Sequence, residues 1–134
     1  MSRILLDTSA YSAFMRGDDS VVTALQRAEQ ICLNPIVLGE MLAGFRKGSK
    51  RRHNEEELHR FLDSPRVEIL DIDDETAERY ALILDTLRRA GTPVATHDLW
   101  IAATAMQYGL RLVTLDSDFL KVPQIVVDLN SAPR

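Results

Sequence analysis

Short runs of Leu, Ile and Val that stop at an acid constrain this chain more than any other feature of it. Asp7 closes Arg3-Ile4-Leu5-Leu6, and Asp116 closes Leu112-Val113-Thr114-Leu115. Glu40 lies about one turn into an apolar stretch that opens at Asn34-Pro35, and Asp98 stands at the mouth of Leu99-Trp100-Ile101-Ala102-Ala103. A carboxylate beside such a run lies near a core, where an unpaired charge is costly. One acid of this kind reads as a helix cap. Four of them at element boundaries point to a shared counter-ion, and a divalent metal is the usual one. Metal-dependent phosphoryl chemistry is therefore the leading reading of these residues.

The apolar runs alternate with longer amphipathic stretches, which is α/β organisation. Strands are expected at Ile4–Leu6, Gln30–Leu33, Val67–Leu70, Arg111–Leu115 and Ile125–Asp128. Helices are expected between them. One opens after Asp7 and stops at Gly17, and a second is capped by Ser20. A third starts at Pro35, whose missing N–H has no partner in a first turn anyway, and ends at Gly48. Further helices run from about Asn54 to Leu62, from about Asp74 to Gly91, and through Leu99 and Met106 to Gly109. Five short strands separated by helices imply a mostly parallel sheet covered on both faces. In such a sheet ligands sit beyond the carboxyl ends of the strands, near a switch in strand order. Glu40 and Asp98 are expected in first helical turns, where free N–H groups and the macrodipole favour negative charge.

The 134 residues make one domain, 1–134, with a loose tail expected over about the last four. Nothing approaches the roughly 18 apolar residues of a membrane span, and the start of the chain lacks signal-peptide organisation, so a cytoplasmic location is expected. Cys32, the single cysteine, reads as a buried small hydrophobe. A net charge of −4 argues at first against a nucleic-acid partner. Metal ions bound among the acids would offset part of it. The run Arg46-Lys47-Gly48-Ser49-Lys50-Arg51-Arg52-His53 holds five basic residues in eight. It reads either as a solvated connection between helices or as a contact for a phosphate backbone.

Ile4-Leu5-Leu6-Asp7-Thr8-Ser9-Ala10-Tyr11 resembles the opening motif of PIN-domain nucleases. Pro35 through Gly44 resembles their second motif, with Glu40 as its acid. Thr96-His97-Asp98-Leu99-Trp100-Ile101-Ala102-Ala103 resembles the third, and Leu112 through Phe119, with Asp116 and Asp118, completes the series. Order, spacing and length all fit, and the compact length looks most like the toxin of a VapBC-type toxin–antitoxin pair. The resemblance implies a three-layer α/β fold and an Mg²⁺-dependent endoribonuclease, with Mn²⁺ as the other candidate ion. Such an enzyme cuts a structured RNA of the tRNA or rRNA class and leaves a 5′-phosphate and a 3′-hydroxyl. It further implies an antitoxin partner and a homodimer. The chain departs from many relatives at His97, where they carry Asn.

On this reading Asp7, Asp98 and Asp116 are metal ligands, Glu40 acts directly or through water, and Asp118 takes an outer role. Thr8 and Thr114 carry hydroxyls beside the proposed ligands. Substrate contacts are expected from Thr8, His97, Arg46, Lys47, Lys50, Arg51 and Arg52. The plainer readings are an Asx turn for Asp7, a helix cap for Asp98, a turn for Asp116-Ser117-Asp118 and a capping or solvent-facing role for His97. Two other functions compete. A PIN fold kept only as a binding module would be expected to have lost an acid, and none is missing. A receiver-like phosphoacceptor domain would need paired acids after the first strand and a late lysine partner, and neither stands out.

Overall fold

The computed structural model describes residues 2–130; the tail expected at the carboxyl end lies outside them. Five strands order as β3-β2-β1-β4-β5, and every neighbouring pair is parallel. They are β1 (Arg3–Leu6), β2 (Gln30–Leu33), β3 (Val67–Ile69), β4 (Arg111–Thr114) and β5 (Val126–Leu129). Between them lie α1 (Thr8–Met15), α2 (Asp19–Arg27), α3 (Pro35–Lys47), α4 (Arg51–Leu62), α5 (Asp74–Ala90), α6 (Thr96–Tyr108) and a short 3₁₀ turn at Ser117–Lys121. The sheet expected as mostly parallel is thus parallel throughout the described residues.

The three central strands read as near-continuous apolar runs because both sheet faces are covered. Ile4, Leu5, Leu6, Cys32, Leu33, Leu112 and Val113 are all fully buried, Cys32 as expected. Helix packing supplies the rest of the core, with Val21, Val37, Ile83, Leu87, Leu99 and Ile101 turned inward. The chain builds outward from β1 through β2 to β3, then crosses back through α5 and α6 to place β4 on the other side of β1. The strand order therefore switches between β1 and β4, and Asp7 and Asp116 follow those two strands.

Several boundaries differ from expectation for local reasons. Asp18, not Ser20, caps α2, its carboxylate accepting from the N–H groups of Ser20 and Val21. In Asp18-Asp19-Ser20 the first residue able to cap takes the position. Helix α4 starts at Arg51 rather than Asn54, because Arg51 and His53 pair with Glu55 and Glu57 one turn on. The basic run is consequently not one connection: Arg46 and Lys47 end α3, Arg51 and Arg52 begin α4, and only Gly48, Ser49 and Lys50 lie between. Among the described residues no helix is long and apolar enough to cross a membrane.

Candidate active site

Asp7 is 5% exposed, and its carboxylate is saturated with donors. One oxygen caps α1 by accepting from the Ala10 N–H at 2.8 Å. The other accepts from the Thr114 hydroxyl at 2.5 Å, and the Ser9 hydroxyl lies within 2.8 and 2.9 Å of the two. The cap reading of Asp7 holds, and the Asx turn fixes its side chain at the β1–β4 switch. Burial raises its carboxyl above the ordinary range, hydrogen bonds from Thr114, Ala10 and Ser9 oppose that rise, and the Asp116 charge adds to it.

Asp116 follows β4. Its N–H donates to Thr114 Oγ1 at 2.9 Å, and its carboxylate accepts from the Asp118 N–H at 2.9 Å, capping the 3₁₀ turn. Thr114 thus ties Asp7 to Asp116 through one fully buried hydroxyl. Asp118 shares that turn and forms an ion pair with Lys121 at 3.1 Å.

Asp98 is the third residue of α6 and not its cap; Ala95 holds that position without a side-chain bond. Its carboxyl is pushed up to about 6, first by burial and then by the charges of Asp116, Glu40, Asp7 and Asp118. Five acids from four separate stretches of chain thus share one electrostatic neighbourhood. Glu40 is the sixth residue of α3, so it sits in the second turn, and the helix-end argument applies to Asp98 alone. The Thr8 hydroxyl donates to Glu40 Oε1 at 3.2 Å, and His97 Nδ1 lies 3.6 Å from Glu40 Oε2. His97 is not a cap; it is solvent-facing, as the plainer reading had it, with a 66% exposed side chain whose Nδ1 lies beside Glu40.

The basic residues expected at the substrate lie at the α3–α4 junction. Arg46, Lys47, Lys50, Arg51 and Arg52 are all exposed there, and Arg51 Nε binds Glu55 at 2.8 Å.

Two supporting residues carried no sequence signal for this role. Ser9 accepts from the Leu115 N–H at 3.0 Å while touching Asp7, a contact 106 positions apart. Asn34, fully buried, caps α3 through the Val37 N–H and donates to Thr104 Oγ1 on α6 at 3.0 Å. It therefore pins the helix of Glu40 to the helix of Asp98. Asn34-Pro35 marked the helix start; the link to Thr104 depends on the fold.

Among the described residues no three histidine, cysteine or acidic side chains converge tightly enough to enclose a metal ion. The donor set nonetheless fits a hard divalent cation, since it is all oxygen. The Asp98 carboxyl is raised first by burial and then by four neighbouring acids, and a cation among them would relieve that repulsion.

The PIN domain family profile matches residues 4–125. The chain belongs to the PIN domain family. Similar PIN proteins include a ribonuclease VapC of Rickettsia bellii, 33% identical over 127 residues that cover 92% of this chain and 93% of the relative. A tRNA(fMet)-specific endonuclease VapC of Salmonella typhimurium is 32% identical over 100 residues, 74% of each chain. The solved structure of DNA-bound VapBC from Salmonella typhimurium matches with a TM-score of 0.83 at 27% identity, covering 96% of this PIN chain and 98% of that one. VapBC2 of Rickettsia felis, bound to a promoter DNA fragment, matches with a TM-score of 0.82 at 27% identity over 94% of this chain and 97% of that one.

Proposed function

We propose that this PIN domain is a divalent-metal-dependent endoribonuclease and the toxin of a VapBC-type pair. The observation that supports this most is the convergence of Asp7, Glu40, Asp116 and Asp118 on the electrostatic surroundings of Asp98. A binding module has no use for that repulsion. Asp7, Asp98 and Asp116 would hold Mg²⁺ or Mn²⁺, with Glu40 directly or through water; when bound, the ion supplies a more acidic water and neutralises charge developing on the phosphate.

The protein's own part is positioning. Ser9, Thr114 and the Ala10 N–H fix both oxygens of Asp7. Thr8 orients Glu40 from the next residue of the same turn. Asp98, raised first by burial and then by the surrounding acids, would hold its charge more readily with a cation among them. The relatives named as ribonucleases, one of them specific for tRNA(fMet), support RNA of the tRNA or rRNA class as the substrate.

The solved VapBC complexes support an antitoxin partner. A cleft of about 210 Å³ between α1, α3 and α4, lined by Tyr11, Ser12, Met15, Phe45, Asn54 and Glu57, is the seat we assign to it. Met15 in its lining is 40% exposed, and Leu42, on the same helix as Phe45, is 41% exposed. The Tyr11 hydroxyl is buried there without a hydrogen-bond partner among the described residues. A basic side chain from the same partner would suit the acids. The active form is proposed to be a cytoplasmic homodimer, which light scattering on the purified protein tests.

The deciding experiment incubates total RNA with purified protein in Mg²⁺ or EDTA, alongside Asp7→Asn. Discrete fragments that disappear with EDTA and with the substitution are expected. An intact RNA pool in the presence of folded, antitoxin-free wild type would instead support the binding-module reading.

A further inference from the structure

Glu40 and His97 meet at the rim of the acidic pocket, and neither a hydrogen bond nor an ion pair accounts for their contact. His97 Nδ1 lies 3.6 Å from Glu40 Oε2, beyond hydrogen-bond reach. The imidazole is two-thirds exposed, and an ion pair that open to water contributes little. No lysine or arginine pairs with Glu40 among the described residues. The separation suits a different use. Two ligands about 2.0–2.2 Å from one ion stand about 3.0 Å apart at a right angle and about 3.4 Å apart at a tetrahedral one. The observed 3.6 Å is a little wider, and an exposed imidazole closes the difference by a small rotation.

The pair is also held as ligands are held. Thr8 donates to Glu40 Oε1 at 3.2 Å, which leaves Oε2 to the imidazole. A carboxylate anchored by a neighbour through one oxygen, with the other free for an ion, is the usual support of a ligand. Glu40 stands on α3 and His97 in the first turn of α6, and the Asn34–Thr104 bond of 3.0 Å pins those helices together. Asp98, the next residue on α6, feels the Glu40 charge. One nitrogen and two carboxylates therefore share a neighbourhood built on two fixed helices.

The nitrogen changes which ion is preferred. Asp7, Glu40, Asp98 and Asp116 offer oxygen alone, which suits Mg²⁺ and Mn²⁺ alike. Imidazole is a poor partner for Mg²⁺ and a good one for first-row transition ions. The other two histidines of the chain, His53 and His59, lie on α4.

We propose that His97 is a metal ligand, joining Glu40 and Asp98 through Nδ1, and that its nitrogen makes the site prefer a first-row transition ion such as Mn²⁺ to Mg²⁺. The inference rests on the divalent-metal reading above, and it gives His97 a different task from the substrate contact expected from the sequence.

The test loads the purified, antitoxin-free chain with Mn²⁺ and records electron spin-echo envelope modulation in frozen solution, at about pH 8 because a ligating imidazole is neutral. Modulation from a directly bound nitrogen is expected in wild type, in His53→Ala and in His59→Ala. It is expected to vanish in His97→Ala and His97→Asn. Calorimetric titration with each ion reads the preference: His97→Ala should weaken Mn²⁺ binding about five- to ten-fold and leave Mg²⁺ binding within about two-fold. Because the side chain is exposed, both variants should keep Tm within about 2 °C of wild type, so a failure to fold does not mimic the result. Mn²⁺ bound to wild type without nitrogen modulation overturns the ligand role and leaves the divalent-metal reading intact. Modulation that survives in His97→Ala comes from another group and overturns it equally. An unchanged ratio of Mn²⁺ to Mg²⁺ affinity in that variant overturns the preference. Folded wild type that binds neither ion overturns this inference and the divalent-metal reading together.

Discussion

Asp98 holds the least comfortable charge in the molecule, and its discomfort has a measurable sign. Its folded carboxyl titrates at about 6, above the ordinary 3.8. Between those values the folded state keeps a proton that the unfolded chain has released. Stability from this group is therefore fully present below about pH 3.8 and is lost as pH rises through about 6. Asp7, also raised, acts in the same direction. In EDTA the Tm should fall between about pH 4 and about pH 6; Asp98→Asn should flatten that fall, raise Tm at neutral pH and abolish cleavage. A Tm profile identical in wild type and variant would show that the acids do not repel one another as described. Thr114 presents the opposite case, a residue whose only polar work is to serve two acids. Thr114→Val keeps the shape but leaves Asp7 short of a donor and the Asp116 N–H without its acceptor, a loss of about 1–3 kcal/mol. Urea denaturation measures it, and Ser9→Ala should cost less because the Ser9 hydroxyl is only partly buried. That Asp7, Asp98 and Asp116 sit at element boundaries was legible in the sequence because acids interrupted apolar runs. Ser9 was not legible as a partner of Leu115, since no local pattern reports a hydrogen bond that spans the whole chain.

At the scale of elements, β1, β2 and β4 were legible because each is a run buried on both faces and bounded by a cap or turn residue. The helix starts were harder. Asp18, Asp19 and Ser20 can all cap, and the choice among them is made by backbone geometry. Ala95 caps α6 with no side-chain bond at all, so the acid nearest the start, Asp98, was open to misreading as the cap. Helix α4 begins earlier than expected, at Arg51, where Arg51 pairs with Glu55 and His53 lies beside Glu57 one turn on. Asn34 shows how such a start can also carry function, since it caps α3 and holds α6 at once. Asn34→Ala is expected to cost about 2–3 kcal/mol from the lost cap and the lost bond to Thr104. Asn34→Ser restores the cap but is too short to reach Thr104. It should recover most of the stability while cleavage stays roughly ten-fold or more below wild type, because α3 and α6 no longer hold Glu40 and Asp98 in register. Equal recovery of both would reduce Asn34 to a cap.

For the whole molecule, convergence of the acids comes from strand order, which no motif states. Placing β4 beside β1 brings residues more than a hundred positions apart to the carboxyl end of the sheet, and leaves α1, α3 and α4 to line a separate cleft. Catalysis and partner capture are then separable by mutation. Met15 is exposed at the end of α1, eight residues beyond Asp7, and Leu42 is exposed on α3. Each side chain is about two-fifths exposed, so a charge there can reach solvent, and Tm should shift by only a few degrees. Met15→Glu and Leu42→Lys should therefore still cut RNA in vitro at the wild-type rate. Burying such a charge against an apolar partner is costly, so each variant should lose the antitoxin at least ten-fold in affinity. In cells the consequence is paradoxical for a mutation that leaves the enzyme untouched: coexpressed antitoxin no longer rescues growth, whereas Asp7→Asn on the same background removes the toxicity. If antitoxin still protects cells carrying both Met15→Glu and Leu42→Lys, the partner binds elsewhere, and the α1–α3–α4 cleft has some other occupant.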